Sequence, residues 1–198
     1  DIIDGDDRLD LLALETEEQC YAVFALQQPM AGDLRSLITA VRMVSEIERS
    51  GDLVVNIAKG SRRIYGTEYT PRLRGLIASM GEEAARLFRL SIDAYGEADA
   101  PMAAALDDLD DRLDQLHRDY IAEIFEASRE GNFEVQAAVQ LALIGRYYER
   151  IGDHAVNIGE RVRYMVTGWL PEHTGAAREA VRQSRAGEPV GSAEEDEQ

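Results

Sequence analysis

Of 198 residues, 38 are Asp or Glu and 21 are Lys or Arg, a formal net charge of −17. Neutralising nucleic-acid phosphates or an anionic lipid surface takes clustered cations, and this chain has one lysine, Lys59, with its arginines scattered among carboxylates. Nucleic acid is therefore excluded as a partner, and no direct membrane insertion is expected: no run approaches about 18 apolar residues, the richest, 135–144, being interrupted by Gln136 and Gln140. One cysteine, Cys20, rules out an intrachain disulfide framework and fits a reducing, cytoplasmic compartment. Its apolar neighbours Tyr21, Ala22, Val23 and Phe24 make it a packing residue, and the start, Asp1-Ile2-Ile3-Asp4, lacks the basic and apolar regions of a signal peptide.

The prolines are few, and the stretches between them carry apolar residues at three-four spacing without sustained alternation, so an all-α chain is predicted. A first helix runs from about residue 6 to Gln27, and Pro29 and Gly32 break it from a second, Asp33 to about Tyr65. A third covers about 71–95 with Leu73, Leu76, Met80, Leu87 and Leu90. A fourth carries Leu106, Leu109, Leu113, Leu116, Tyr120 and Ile124 and stops at Gly131-Asn132. The fifth, from about Phe133 to Thr167, holds Leu141, Ile144, Tyr148, Ile151, Ala155, Ile158, Val162 and Met165, a stripe that needs partner helices. Beyond Pro171 a short helix over 176–183 and a disordered acidic tail are expected.

The chain repeats itself. Asp6-Asp7-Arg8-Leu9-Asp10 is identical to Asp110-Asp111-Arg112-Leu113-Asp114, and the segment 48–57 matches 149–158 at Glu, Arg, Gly, Asp, Val, Asn and Ile. The offsets of 104 and 101 place the difference in the loop between the paired helices. The predicted units are 1–66, 71–170 and the tail 171–198. A full repeat is a three-helix bundle; the first repeat begins almost at its Asp-rich motif and lacks a counterpart of the helix over 71–95.

Each repeat carries two carboxylate pairs at i and i+4: Asp6/Asp10 with Glu48/Asp52, and Asp110/Asp114 with Glu149/Asp153. Residues four apart share a helix face about 6 Å apart, and four acids gathered by adjacent helices repel one another. A multivalent cation relieves that repulsion, and oxygen-only ligands suit Mg, Mn, Ca or Fe better than Zn. The plain alternative is a solvated face in which Arg8, Arg49, Arg112 and Arg150 pair some of the acids. Duplication favours the cation site, because a solvated face has no reason to keep both motifs while their surroundings diverge. Wheel geometry puts Glu149 and Asp153 nearly opposite Ile151, so the sites are expected to be lateral and partly exposed. Gly51 and Gly152 sit mid-helix at about 1 kcal/mol each against Ala, which predicts a close approach to the backbone there. Asn56 and Asn157 are placed either to donate to a metal-bound water or to cap a neighbouring carboxylate.

His117 follows Asp114 by three, but Ala13 stands in its place in the first copy, so a packing or surface role is expected; His154 and His173 have no ligand partners at helical spacing. Tyr147, Tyr148, Tyr164 and Trp169 read as core, and no Ser/His/Asp set, Cys/His set, glycine-rich phosphate loop or Cys-x-x-Cys is present.

The segment Gln28-Pro29-Met30-Ala31-Gly32-Asp33-Leu34-Arg35, the two Asp-rich motifs and the two Glu-Arg-x-Gly-Asp motifs together resemble the PhoU family over about residues 1–170. The resemblance implies two pseudo-symmetric three-helix bundles, the first helix of the first bundle being absent. It implies metal clusters (Mg, Mn, Fe, Ca or Zn) on Asp6, Asp10, Glu48, Asp52, Asp110, Asp114, Glu149 and Asp153. It further implies a non-enzymatic cytoplasmic regulator of phosphate uptake, peripheral to the membrane through its partners. Those partners are the phosphate ABC transporter ATPase subunit and a phosphate-sensing histidine kinase, with phosphate-starvation genes kept off; a homodimer is left open. Two other readings stand beside it: a carboxylate-bridged di-metal oxidase, against which the lack of Glu-x-x-His counts, and a purely structural helical scaffold.

Overall fold

A computed structural model describes residues 2–168, which form five α-helices and no strand. They are α1 (Ile2–Gln27), α2 (Ala31–Arg63), α3 (Pro71–Glu97), α4 (Ala100–Arg129) and α5 (Val135–Thr167). The expected short helix and tail over 171–198, and Trp169, lie outside the described residues.

The breaks follow from local chemistry. Between α1 and α2, Gln28 and Ala31 adopt positive φ on either side of Pro29, which cannot continue a helix. Helix α3 starts on Thr70, whose hydroxyl oxygen accepts from the Leu73 N–H at 3.1 Å, with Pro71 at the first helical position. Helix α4 starts on Asp99, which accepts from the Met102 N–H at 2.9 Å, and is followed by Gly131 at φ 77°, a left-handed stop that glycine takes without strain.

In the second repeat α3, α4 and α5 pack on one another as a three-helix bundle. Its core is built from residues seven apart on α3 (Leu73, Met80, Leu87) and on α4 (Leu106, Leu113, Tyr120), packed against Leu141, Ile144, Ile151 and Ala155 on α5. Removing a buried leucine of this kind from water contributes about 2 kcal/mol. The first repeat supplies α1 and α2; α1 packs on α2 alone among the described helices, and α2 leans on α5. A second cluster, Met43 with Ala94, Ala103, Ile158 and Val162, seals that junction. The free side of α1 leaves Leu11, Leu12, Leu14, Tyr21 and Leu26 exposed, whereas Cys20, as expected of a packing thiol, is buried.

One cap also reaches across the bundle. Thr70 donates to Glu123 at 2.8 Å, and Arg72 holds the other oxygen of that buried carboxylate at 3.2 Å. Thr70→Val therefore strips α3 of its cap and Glu123 of a donor together, and should lower stability by about 1–2 kcal/mol in urea denaturation.

Candidate functional site

Helix α5 presents Gly145, Gly152 and Gly159, seven apart and all buried, to α4. Opposite them, in antiparallel order, lie Tyr120, Leu113 and Leu106. A Cβ on Gly152 would stand 2.7 Å from Leu113 Cδ2 and closer still to Asp110 Oδ1. The first repeat reproduces this contact: a Cβ on Gly51 would stand 2.6 Å from Leu9 Cδ2 and 2.8 Å from Asp6 Oδ1. The approach expected at the two mid-helix glycines is thus made by the leading Asp and the Leu of each repeat's own Asp-rich motif.

Beside this contact Asp110 feels the charges of Asp114 and Asp153, and Asp6 those of Asp10 and Asp52. Burial, then the charges of Asp114, Asp153, Asp107 and Asp111, raise the Asp110 carboxyl to about 7. Asp6 is raised too, by burial and by Asp10, Asp52 and Asp7, against Lys59. Asp10, Glu48, Asp52 and Asp153 are exposed and Asp114 is half-buried, in keeping with lateral sites. Glu149 departs from that expectation. Its side chain is only 17% exposed, because the side of α5 opposite Ile151 is covered by α4, and Arg146 is ion-paired to it. Of the arginines expected to pair the site acids, Arg112 instead meets Glu83 at 3.7 Å; Asp114 is met by Arg118 at 3.8 Å and Glu149 by Arg146. Among the described residues no group of three or more His, Cys, Asp or Glu is placed to hold a metal ion.

His117 is not a surface residue. Its side chain is 19% exposed, Nδ1 lies 3.9 Å from Glu149 Oε2, and burial followed by Arg146 holds its pKa below the usual imidazole value. Asp110 Oδ1 and His117 Nε2 are buried without a hydrogen-bond partner.

Asn157 donates to Glu46 at 3.1 Å, which makes it a cap on a neighbouring carboxylate. His154 is buried, with Nδ1 2.5 Å from the same Glu46 oxygen. Burial alone would raise Glu46, but these two hydrogen bonds outweigh it and hold the carboxyl below its ordinary value. This clamp joins α2 to α5 across the two repeats, and nothing in the helical spacing announced it. Tyr147 and Tyr148 pack against the main core, and Tyr164 is half-buried.

The PhoU domain model of protein families matches residues 1–60 and 77–162. Among curated relatives, the phosphate-specific transport system accessory protein PhoU homolog 1 of Mycobacterium tuberculosis is 38% identical over 171 residues, 86% of this chain and 76% of the relative. The PhoU homolog of Caulobacter vibrioides is 32% identical over 169 residues, 84% of this chain and 73% of that one. Among solved structures, PhoU from Pseudomonas aeruginosa superposes with a TM-score of 0.79 at 27% identity, covering 85% of this chain and 80% of its own. The PhoU structure from Streptococcus pneumoniae gives 0.77 at 25% identity, covering 85% and 79%. With matching motifs, fold and sequence over most of its length, the chain belongs to the PhoU family.

Proposed function

We propose that this protein is a regulatory accessory component of phosphate-specific transport that binds metal ions at its two carboxylate grooves. In this reading it connects the transporter's ATPase subunit to a phosphate-sensing histidine kinase. The curated relatives carry the name of phosphate-specific transport system accessory proteins, and no helix among the described residues is long and apolar enough to cross a membrane, so contact with a transporter would run through protein surfaces.

The observation that carries the metal part is the repeated one. In both copies a glycine clears the helix backbone so that an Asp can lie against it, at a cost of about 1 kcal/mol per glycine in helix propensity. In the second copy that Asp keeps a buried, unpartnered oxygen and a carboxyl raised to about 7, the signature of a donor set short of positive charge. Asp110, Asp114, Glu149 and Asp153 would hold ions in one groove, and Asp6, Asp10, Glu48 and Asp52 in the other. A bound cation would supply charge neutralisation, favouring the ionised form of Asp110. The protein's own residues do the rest: the glycines set the helix separation, and the seam holds the acids in register.

Metal analysis of the purified protein beside Asp52→Ala/Asp153→Ala checks the first part; a parent with no metal above background overturns it. Deleting the gene should leave phosphate-starvation genes expressed several-fold above their repressed level in high phosphate. Normal repression in the deletion strain would overturn the regulatory part.

A further inference from the structure

Helix α1 leaves most of its large apolar side chains exposed, and the internal repeat divides them into two groups. Aligned on the Asp-rich motif, each residue of α1 has its counterpart in α4 at an offset of 104. Leu12 corresponds to Leu116, which packs against the core that α3 helps to build, so it lies on a flank that a third helix covers. Leu11, Leu14 and Tyr21 correspond to Gln115, Arg118 and Phe125, and all three of these stay exposed although α3 is in place. A complete three-helix repeat therefore leaves this second face open as well. In α4 polar side chains satisfy one another there: Arg118 donates to Gln115 at 3.0 Å and pairs with Asp114 at 3.8 Å. In α1 two leucines stand in the places of Gln115 and Arg118.

We infer that this face of α1 is the seat of a basic amphipathic helix from a partner protein. At about 100° per residue, Leu11, Leu14 and Tyr21 fall within an arc of about 80° along about 15 Å of helix. They are 62%, 55% and 53% exposed, which makes a continuous apolar stripe rather than a scatter of single residues. Asp7 and Glu18 lie within the same arc, Glu15 stands at its edge, and all three are exposed. The one Lys or Arg between residues 2 and 27 is Arg8, which is about 60° round the helix from Leu11. These acids select the occupant. A second copy of this chain would set Glu15 and Glu18 against the same carboxylates, and like charges brought together across an interface repel. A helix with leucine-type side chains at three-four spacing and Lys or Arg beside them covers the stripe and pairs the acids at its rim, as charged flanks do in a coiled coil. Asp6 is turned to Gly51 of α2, so the seat does not depend on the metal reading.

The probe is a fluorescent peptide of leucine and lysine in three-four spacing, followed by anisotropy at physiological ionic strength, where exposed charges are largely screened beyond about 8 Å. One control peptide has glutamate for every lysine and another has serine for every leucine. The leucine–lysine peptide should bind at least about tenfold more tightly than either control. Leu11→Ser/Leu14→Ser/Tyr21→Ser, with helicity verified by circular dichroism, should lose at least about tenfold in affinity, as removal of a contact's central anchors does. Glu15→Lys/Glu18→Lys, which keeps the stripe, should lose as much, and Leu12→Ser should stay within about twofold of the parent. If the triple variant loses helicity, Glu15→Lys/Glu18→Lys decides alone. Parent-like affinity in a folded stripe or charge variant overturns the inference, as does loss of binding in Leu12→Ser alone, which would place the peptide on the other flank. Equal binding of the leucine–glutamate peptide overturns the partner's charge. A parent that sediments as a dimer, and a triple variant that sediments as a monomer, would give the face to a second copy and overturn the inference too.

Discussion

Replacing Gly159 with alanine is expected to destabilise the protein by about 3 kcal/mol, although the same change improves intrinsic helix propensity by about 1 kcal/mol. The reason is what the new methyl meets. A Cβ on Gly159 would stand 2.7 Å from the Ala103 carbonyl oxygen and 2.7 Å from Leu106 Cδ1. A side chain can rotate away from such a contact, but the carbonyl belongs to the backbone of α4 and can move only if the two helices part. Parting them opens the seam whose residues Leu106 and Leu113 are fully buried. Gly75, inside α3 with nothing within 4 Å of its Cβ direction, is the control: Gly75→Ala should gain about 1 kcal/mol by helix propensity and a less mobile unfolded chain. Urea unfolding midpoints of the two variants should move in opposite directions. Equal midpoints would show that α4 and α5 do not depend on close approach.

That seam also marks where reading the sequence stopped. Three-four periodicity located α3, α4 and α5, each of which buries a continuous stripe; α1, of whose described apolar residues only Cys20 is buried, was marked by its break at Pro29 and begins at Ile2 where about residue 6 is expected. Gly152 stood out because the duplication repeats it as Gly51. Gly145 and Gly159 align with Val44 and Ala58, so the comparison that singled out one glycine passed over its two companions, though all three share a seven-residue register facing Leu106, Leu113 and Tyr120. The duplication reveals what two copies share and is blind to what makes them differ.

The same limit explains the site. The eight acids were legible because both copies keep them. His117 has Ala13 as its counterpart, and the clamp residues Glu46 and His154 have Tyr147 and Leu53, so symmetry gave no signal for any of them. Glu46 and His154 are 108 residues apart and meet only because α2 docks on α5. Glu149 was expected to be lateral because a helical wheel drawn around Ile151 gives α5 one buried face. The helix has three, packed against α2, α3 and α4, and Glu149 lies toward the last.

Asp110→Asn should make the metal-free protein more stable above neutral pH and less able to gain stability from a divalent cation. In the folded protein the Asp110 carboxyl is raised to about 7 from an ordinary value of 3.8, so the folded state keeps a proton that the unfolded chain gives up. The stability linked to that proton is fully present below about pH 4 and is lost as pH rises to about 7, because the unfolded state releases its proton first. Unscreened, the raised value corresponds to about 4 kcal/mol; the carboxylate is only half-buried, and solvent screening reduces this to about 2 kcal/mol. Asparagine fills the same space without titrating, so the variant should match the parent near pH 4 and exceed it by about 2 kcal/mol at pH 8. Cation binding reverses the order, since an ion that binds the folded state alone stabilises it by RT ln(1 + [L]/Kd) and draws on the charge that asparagine lacks. Thermal unfolding at pH 4 and pH 8, with and without a millimolar divalent ion, reads both effects. A constant difference between the two proteins across pH would mean that Asp110 is ionised in the fold throughout, and that the second groove carries no excess of negative charge for a cation to relieve.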